Sequence, residues 1–131
     1  MDRERLEAIA RAHGIELVLQ FGSSVTGLMH PQSDIDLAVC LASAPDSAGD
    51  YAELVADLQG LEPDRHVDVA LLNHADPLFL KQVLEHGRLL HGSPHRLERL
   101  RIYAFKRYHD HRRFLEMERA YVDRMIAALG R

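Results

Sequence analysis

Cysteine is almost absent from this chain of 131 residues: Cys40 is the only one. A single cysteine excludes an internal disulfide and fits the reducing cytoplasm. Cys40 lies within an apolar run, which predicts a buried, inert thiol. No apolar run approaches the roughly 18 to 20 residues of a membrane span. The opening Met1-Asp-Arg-Glu-Arg-Leu-Glu7 lacks the apolar centre of a signal peptide, so a cytoplasmic protein with no membrane partner is expected. Proline and glycine are missing from the interior of Pro94–Leu129, which predicts one long helix, or two with a kink at His109-Asp110-His111. Internal repeats and low-complexity tracts are absent as well.

The length fits one domain with a real core. The hydrophobic fraction of 47% and charged fraction of 27% are ordinary for a globular protein. The net charge of −4 conceals an uneven distribution. Residues 1–95 hold 15 acidic and 6 basic side chains, whereas residues 96–131 hold 5 and 10. Such a basic tail serves bound phosphate, nucleic acid or an acidic protein partner, or simply offsets the body's charge as a solvated helix surface.

Hydrophobic patterning alternates between helix and strand. A helix over Asp2–His13 stops at Gly14. A strand over Ile15–Phe21 leads into Gly22, and Ser23 or Ser24 caps a short helix ending before His30-Pro31. A second strand covers Ile35–Leu41, a helix follows over Asp50–Leu61, and a third strand covers His66–Leu72. Pro77 starts a helix ending at His86, and Arg88–His91 forms a short strand. Leu97, Leu100, Ala104, Tyr108, Leu115, Val122, Met125 and Leu129 give the tail an apolar stripe. The fold class is therefore α/β, a small sheet flanked by helices.

Chemistry concentrates in residues 20–41. Gly22-Ser23, a small-residue turn suited to phosphate, is followed ten residues later by Asp34-Ile35-Asp36. Residues at i and i+2 of a strand share a face, roughly 6.5 to 7 Å apart. Asp34 and Asp36 therefore project together, while Ile35, Leu37 and Val39 project into a core. Ala38 and Cys40, on the Asp face, leave room for something to pack above them. Asp68, between Val67 and Val69, is a third acid inside an apolar strand, where burial without a partner is costly. If that strand lies beside Ile35–Leu41 with the Asp faces aligned, three carboxylates converge. All-oxygen donors select Mg²⁺ or Mn²⁺ over zinc, and such a trio holds the two ions used in nucleotidyl transfer.

Each feature has a plainer alternative: Asp-x-Asp as a turn, Gly-Ser as a helix cap, Asp68 paired with Arg65. Their occurrence in order on three successive elements favours the catalytic reading. Elsewhere, His109 and His111 face apart on a helix and do not make a zinc pair. Tyr103, Phe105, Tyr108 and Tyr121 are expected to pack in the core rather than stack on adenine. No Ser-His-Asp or Cys-His arrangement can be assembled.

Gly22-Ser23, ten intervening residues and Asp34-Ile35-Asp36 resemble the signature of minimal nucleotidyltransferases of the DNA polymerase β superfamily. Val67-Asp68, Leu71-Leu72-Asn73, Pro77 and Gly87-Arg-Leu-Leu-His91 are similar to that family's downstream pattern, so the resemblance spans residues 14–92. The tail, Arg99 to Tyr108 with Asp110-His-Arg-Arg113, resembles the C-terminal helices of MntA-type antitoxins, partners of HEPN-domain (HepT-type) ribonuclease toxins. The resemblance implies a polymerase-β-like fold: a nucleotidyltransferase core over 1–92 and a helical extension over 93–131 packed on the same domain. It further implies transfer of AMP from ATP to a tyrosine of the toxin, with no direct nucleic-acid binding. Asp34, Asp36 and Asp68 would be the catalytic residues and the Mg²⁺ ligands, two ions being expected. Gly22, Ser23 and Ser33 would bind the nucleotide. Alternatives are an antitoxin acting by binding alone, or transfer to a small-molecule hydroxyl. One departure is Thr26 before Gly27, where many members carry an arginine that contacts phosphate.

Overall fold

Helix starts in this chain are set by side chains that accept the first unpaired amides, a capping geometry worth about 1 kcal/mol each. Asp2 accepts from the amides of Glu4 and Arg5, Ser47 from Asp50, Asp76 from Leu78 and Phe79, and Ser93 from His95 and Arg96. The computed structural model describes residues 1–22 and 34–130. Over these residues the order is α1 (Arg3–His13), β1 (Ile15–Phe21), β2 (Ile35–Leu41), α2 (Ala48–Gln59), β3 (Val67–Leu71), α3 (Pro77–His86), β4 (Arg88–His91) and α4 (Pro94–Leu129). The segment from Ser23 to Ser33, where a short capped helix is expected, lies outside the described residues.

The four strands form one mixed sheet in the order β3-β2-β1-β4. β1 runs antiparallel to both β2 and β4, whereas β2 and β3 are parallel and joined through α2. Alternation along β2 divides the core. Ile35, Leu37 and Val39 face α1 and α2, meeting Leu6, Leu54 and Leu58. Ala38 and Cys40 face the other way, with Leu17 and Leu19, under Leu80, Val83 and Leu84 of α3 and Leu97, Leu100 and Ala104 of α4. The small side chains at 38 and 40 thus admit the two helices above them. Burial pushes the Cys40 thiol above its ordinary range, more than the nearby Arg96 guanidinium draws it down, consistent with an inert thiol.

The tail is one unbroken helix of 36 residues, with no bend at His109-Asp110-His111. At 1.5 Å per residue it is about 54 Å long, more than twice the roughly 23 Å of a seven-residue strand. Only Leu97, Leu100 and Ala104 are buried, and every residue from His109 to Gly130 is exposed. The expectation of core packing for the tail aromatics is therefore corrected. Tyr103 and Phe105 are 50% and 58% exposed because they turn away from the face that buries Leu100 and Ala104, and Tyr121 is 57% exposed where the helix has outrun the sheet. Tyr108, half-buried at that boundary, carries the Lys81 ammonium over its ring at 4.9 Å. No helix among the described residues is long and apolar enough to cross a membrane.

Candidate active site

At the mouth of the sheet, β1 ends on Phe21 and the chain turns at Gly22, whose φ of 75° lies in the left-handed region that favours glycine. A Cβ at this position would collide with Oδ2 of Asp36. Sequence reasoning assigned the glycine to the approach of phosphate. Among the described residues, its missing side chain makes room for a carboxylate.

Asp36 lies opposite Phe21 on β1 and opposite Asp68 on β3. Neighbouring strands are about 4.8 Å apart, so the expected alignment of Asp36 and Asp68 is realised in direct register. Asp34 is exposed, immediately before the first residue of β2. Partial burial holds the Asp36 carboxyl above the ordinary aspartate range. The charges of Asp68 and then Asp34 add to the rise, and His66 opposes it. Three acids are thus brought to one end of the sheet, where their charges disfavour ionisation of Asp36.

Asp68 has a partner, but not Arg65. His66, immediately before β3, has its Nε2 2.9 Å from Asp68 Oδ1, with both side chains largely exposed. The alternation of His66 and Asp68 on one face was visible in the sequence and is the signal that identifies this pair. Among the described residues, no three His, Cys, Asp or Glu side chains are gathered into a group that could hold an ion as they stand. In chemical type the donors fit a hard divalent cation: all are carboxylate oxygens, and a cation would offset the repulsion of Asp68 and Asp34 on Asp36.

Two amides fix the strands that carry these acids. The Gln59 side chain accepts from the amide of Val67 at 2.9 Å and donates to the carbonyls of Glu62 and Arg65, anchoring the start of β3 beside Asp68. The Ile35 amide donates to the His66 carbonyl at 2.9 Å, tying the mouths of β2 and β3 together. Asn73 clasps the far end of β2, accepting from the Leu41 amide and donating to the Leu41 carbonyl, each at 2.9 Å. Neither amide was recognised as a positioning group from sequence. Phe21 and Phe79, edge to face at 5.7 Å, form an apolar flank on the Asp face. Ser23, Ser33 and Thr26 lie outside the described residues.

Comparison with known proteins agrees with this geometry. The family model described as polymerase beta, nucleotidyltransferase matches residues 4–96. No curated protein sequence matches the chain. Among solved structures, a chain from a toxin–antitoxin crystal structure with AMP-PNP is 25% identical and superposes with a TM-score of 0.73, over 96% of this chain and 99% of that one. A chain from a mutant toxin–antitoxin MntA–HpeT is 23% identical, with a TM-score of 0.71 over 96% and 99%. A third comes from the tri-AMPylated Shewanella oneidensis HEPN toxin in complex with its MNT antitoxin: 23% identity, TM-score 0.66, and 95% of each chain covered. The family match takes in the turn at Gly22, Asp34, the strands bearing Asp36 and Asp68, and helices α2 and α3, and the chain belongs to the polymerase beta nucleotidyltransferase family.

Proposed function

We propose that this chain is the antitoxin of a HEPN-type toxin–antitoxin pair, and that it silences its toxin by transferring AMP from ATP to a toxin tyrosine. The observation that carries this reading is the carboxylate Asp36, set in the space left by Gly22 and in register with Asp68. A charged cluster that raises its own cost of ionisation serves chemistry better than mere occlusion of a partner. The resemblance along nearly the whole chain to proteins from toxin–antitoxin complexes, one with AMP-PNP and one with an AMPylated toxin, supports both the nucleotide and the acceptor.

Asp34, Asp36 and Asp68 would hold Mg²⁺, two ions being expected. When bound, the metal offsets the triphosphate charge and lowers the pKa of the acceptor hydroxyl. The chain's own groups do the rest. The backbone after Gly22, with Ser23 and Ser33, would bind the phosphates of ATP, as amides at a helix start do. The tyrosine oxygen attacks the α-phosphorus, the bond to the bridging oxygen breaks, and pyrophosphate leaves. The phenolic proton passes to Asp68, which a tyrosine of ordinary pKa near 10 requires at neutral pH. His66, already bonded to Asp68, holds that carboxylate at the edge of the sheet until substrate engages it.

The test is incubation of the chain with its cognate toxin, Mg²⁺ and ATP, followed by intact-mass measurement of the toxin. One or more added AMP units, abolished by Asp36→Asn, is the expected result. A toxin of unchanged mass under conditions in which it is nonetheless neutralised would leave an antitoxin acting by binding alone.

A further inference from the structure

Basic residues are scarce in the acidic body, and half of them meet at one cavity. Residues 1–95 carry six: Arg3, Arg5, Arg11, Arg65, Lys81 and Arg88. Arg3, Arg65 and Arg88 line a cavity of about 200 Å³ beside the first turn of α1. They arrive from three separate elements: α1, the turn before β3, and the first position of β4. Elsewhere in the body, Arg5 donates to the Gly60 carbonyl and Lys81 pairs with Glu85 at 2.8 Å. By contrast, the guanidinium groups of Arg3 and Arg88 make no hydrogen bond or ion pair among the described residues.

The sheet sets this cavity apart from the carboxylates. Gln20, which also lines it, is in register with Arg88 and in step with Val18, on the face that α1 and α2 cover. Asp36, in step with Ala38 and Cys40, faces the other way. Two side chains hold the arginines in place. Asp2 caps the turn of α1 that carries Arg3, and the Gln59 amide binds the carbonyls of Glu62 and Arg65, fixing the turn between them. Buried Leu6 and Ile35 form an apolar floor, over which charges attract more strongly than in open water.

The lining selects the ligand. Among the described lining residues Glu62 is the one acid, so three guanidinium groups against one carboxylate leave an excess of two positive charges. A single carboxylate would not neutralise it. Three planar forks, each gripping two oxygens, ask for more acceptors than one phosphate offers, and a diphosphate supplies them. The volume is below the roughly 300 to 1,000 Å³ of sites that enclose drug-sized molecules, which favours a compact anion over a whole nucleotide. We infer that this cavity binds pyrophosphate without a metal ion, at a site separate from the catalytic carboxylates. The transfer proposed above releases this anion, but the assignment rests on the lining alone.

The experiment is calorimetric titration of the full chain with sodium pyrophosphate in metal-free buffer, at an ionic strength that screens diffuse attraction. Without divalent ions the acidic end of the sheet repels the anion, so the heat reports the arginine cavity. Saturable one-to-one binding is expected, tighter than that of inorganic phosphate, which engages fewer forks, or of ATP, whose nucleoside the cavity does not enclose. Arg3→Ala/Arg88→Ala should weaken it at least about tenfold, the loss of charged hydrogen bonds. Both positions are exposed, so circular dichroism should be unchanged. Arg11→Ala, which removes a cation of α1 outside the cavity, should bind as the parent does. Glu62→Gln should tighten binding, a gain that misfolding would not give. No saturable binding by the parent, or equal binding by Arg3→Ala/Arg88→Ala, overturns the inference. Inorganic phosphate or ATP binding as tightly as pyrophosphate, with the same dependence on Arg3 and Arg88, overturns the assignment to pyrophosphate. The titration needs neither ATP turnover nor toxin, so failure of AMP transfer leaves this site standing, and failure of the titration leaves AMP transfer standing.

Discussion

Asp36 is costly to the fold, and the cost has a sign. Its carboxyl is held above the usual range, first by burial and then by Asp68 and Asp34, so folding favours the protonated form. Stability from this group is full below the ordinary aspartate pKa and is lost as pH rises through the raised value. At neutral pH the ionised Asp36 therefore opposes folding of the metal-free protein. Asp36→Asn should abolish nucleotidyl transfer and, in metal-free buffer at pH 7, raise the melting temperature by about 1–3 °C, a small gain because water screens a half-buried charge. In the parent that difference should shrink toward pH 4, which a melting series across pH would show. Gly22→Ala meets both a positive φ and the Asp36 carboxylate, so it should reduce transfer by at least about tenfold and cost about 1–3 kcal/mol, read from kinetics and urea unfolding.

At the scale of elements, the pairing of β2 with β3 determines whether the acids meet, and polar clasps at both ends hold it. Asn73→Ala leaves the amide and carbonyl of Leu41 without their partner and should cost about 1–3 kcal/mol by chemical denaturation. Gln59→Ala should act nearer the site, loosening the start of β3 and lowering transfer more than it lowers stability. The strands themselves were legible: Ile15–Phe21, Ile35–Leu41 and Arg88–His91 begin and end where their apolar runs and flanking glycines say. Asp68 facing Asp36 was legible too, because parity along two strands is a local property. The clasps were not, since one Gln or Asn looks like any other until the fold places a particular backbone amide beside it. His66 replaced Arg65 as the partner of Asp68 for the same reason: reach depends on strand face as well as on sequence distance. Helix α2 starts at Ala48, two residues before the expected Asp50, because Ser47 caps it.

For the molecule as a whole, the uneven charge coincides with an uneven architecture. The acidic body is layered, helices covering both faces of a four-stranded sheet, and the basic tail is largely one helix standing clear of it. Periodicity marks the tail's stripe but does not report what covers it: only Leu97, Leu100 and Ala104 are buried, and Tyr103, Phe105 and Tyr121, expected in the core, lie off the stripe and are exposed. Among the described residues, nothing from His109 onward contributes to the core. A chain ending after Tyr108 should keep its melting temperature within about 2–4 °C, checked by calorimetry, a small change of the kind expected when only exposed residues are lost.

Because α4 is continuous, its exposed half is a rigid arm. Leu100, fixed against the sheet, and Leu129 near the tip are separated by 29 residues of helix, about 43 Å. Turning the arm by about 10° at its root swings the tip by roughly 7 Å, about the spacing of two residues along a strand. The position of the tip is thus governed by the few contacts of Leu97, Leu100 and Ala104, and a change in their packing would move it without touching the exposed surface. Adding two residues to the helix between these contacts and the exposed stripe would turn that stripe by about 200° and point it away from its present side.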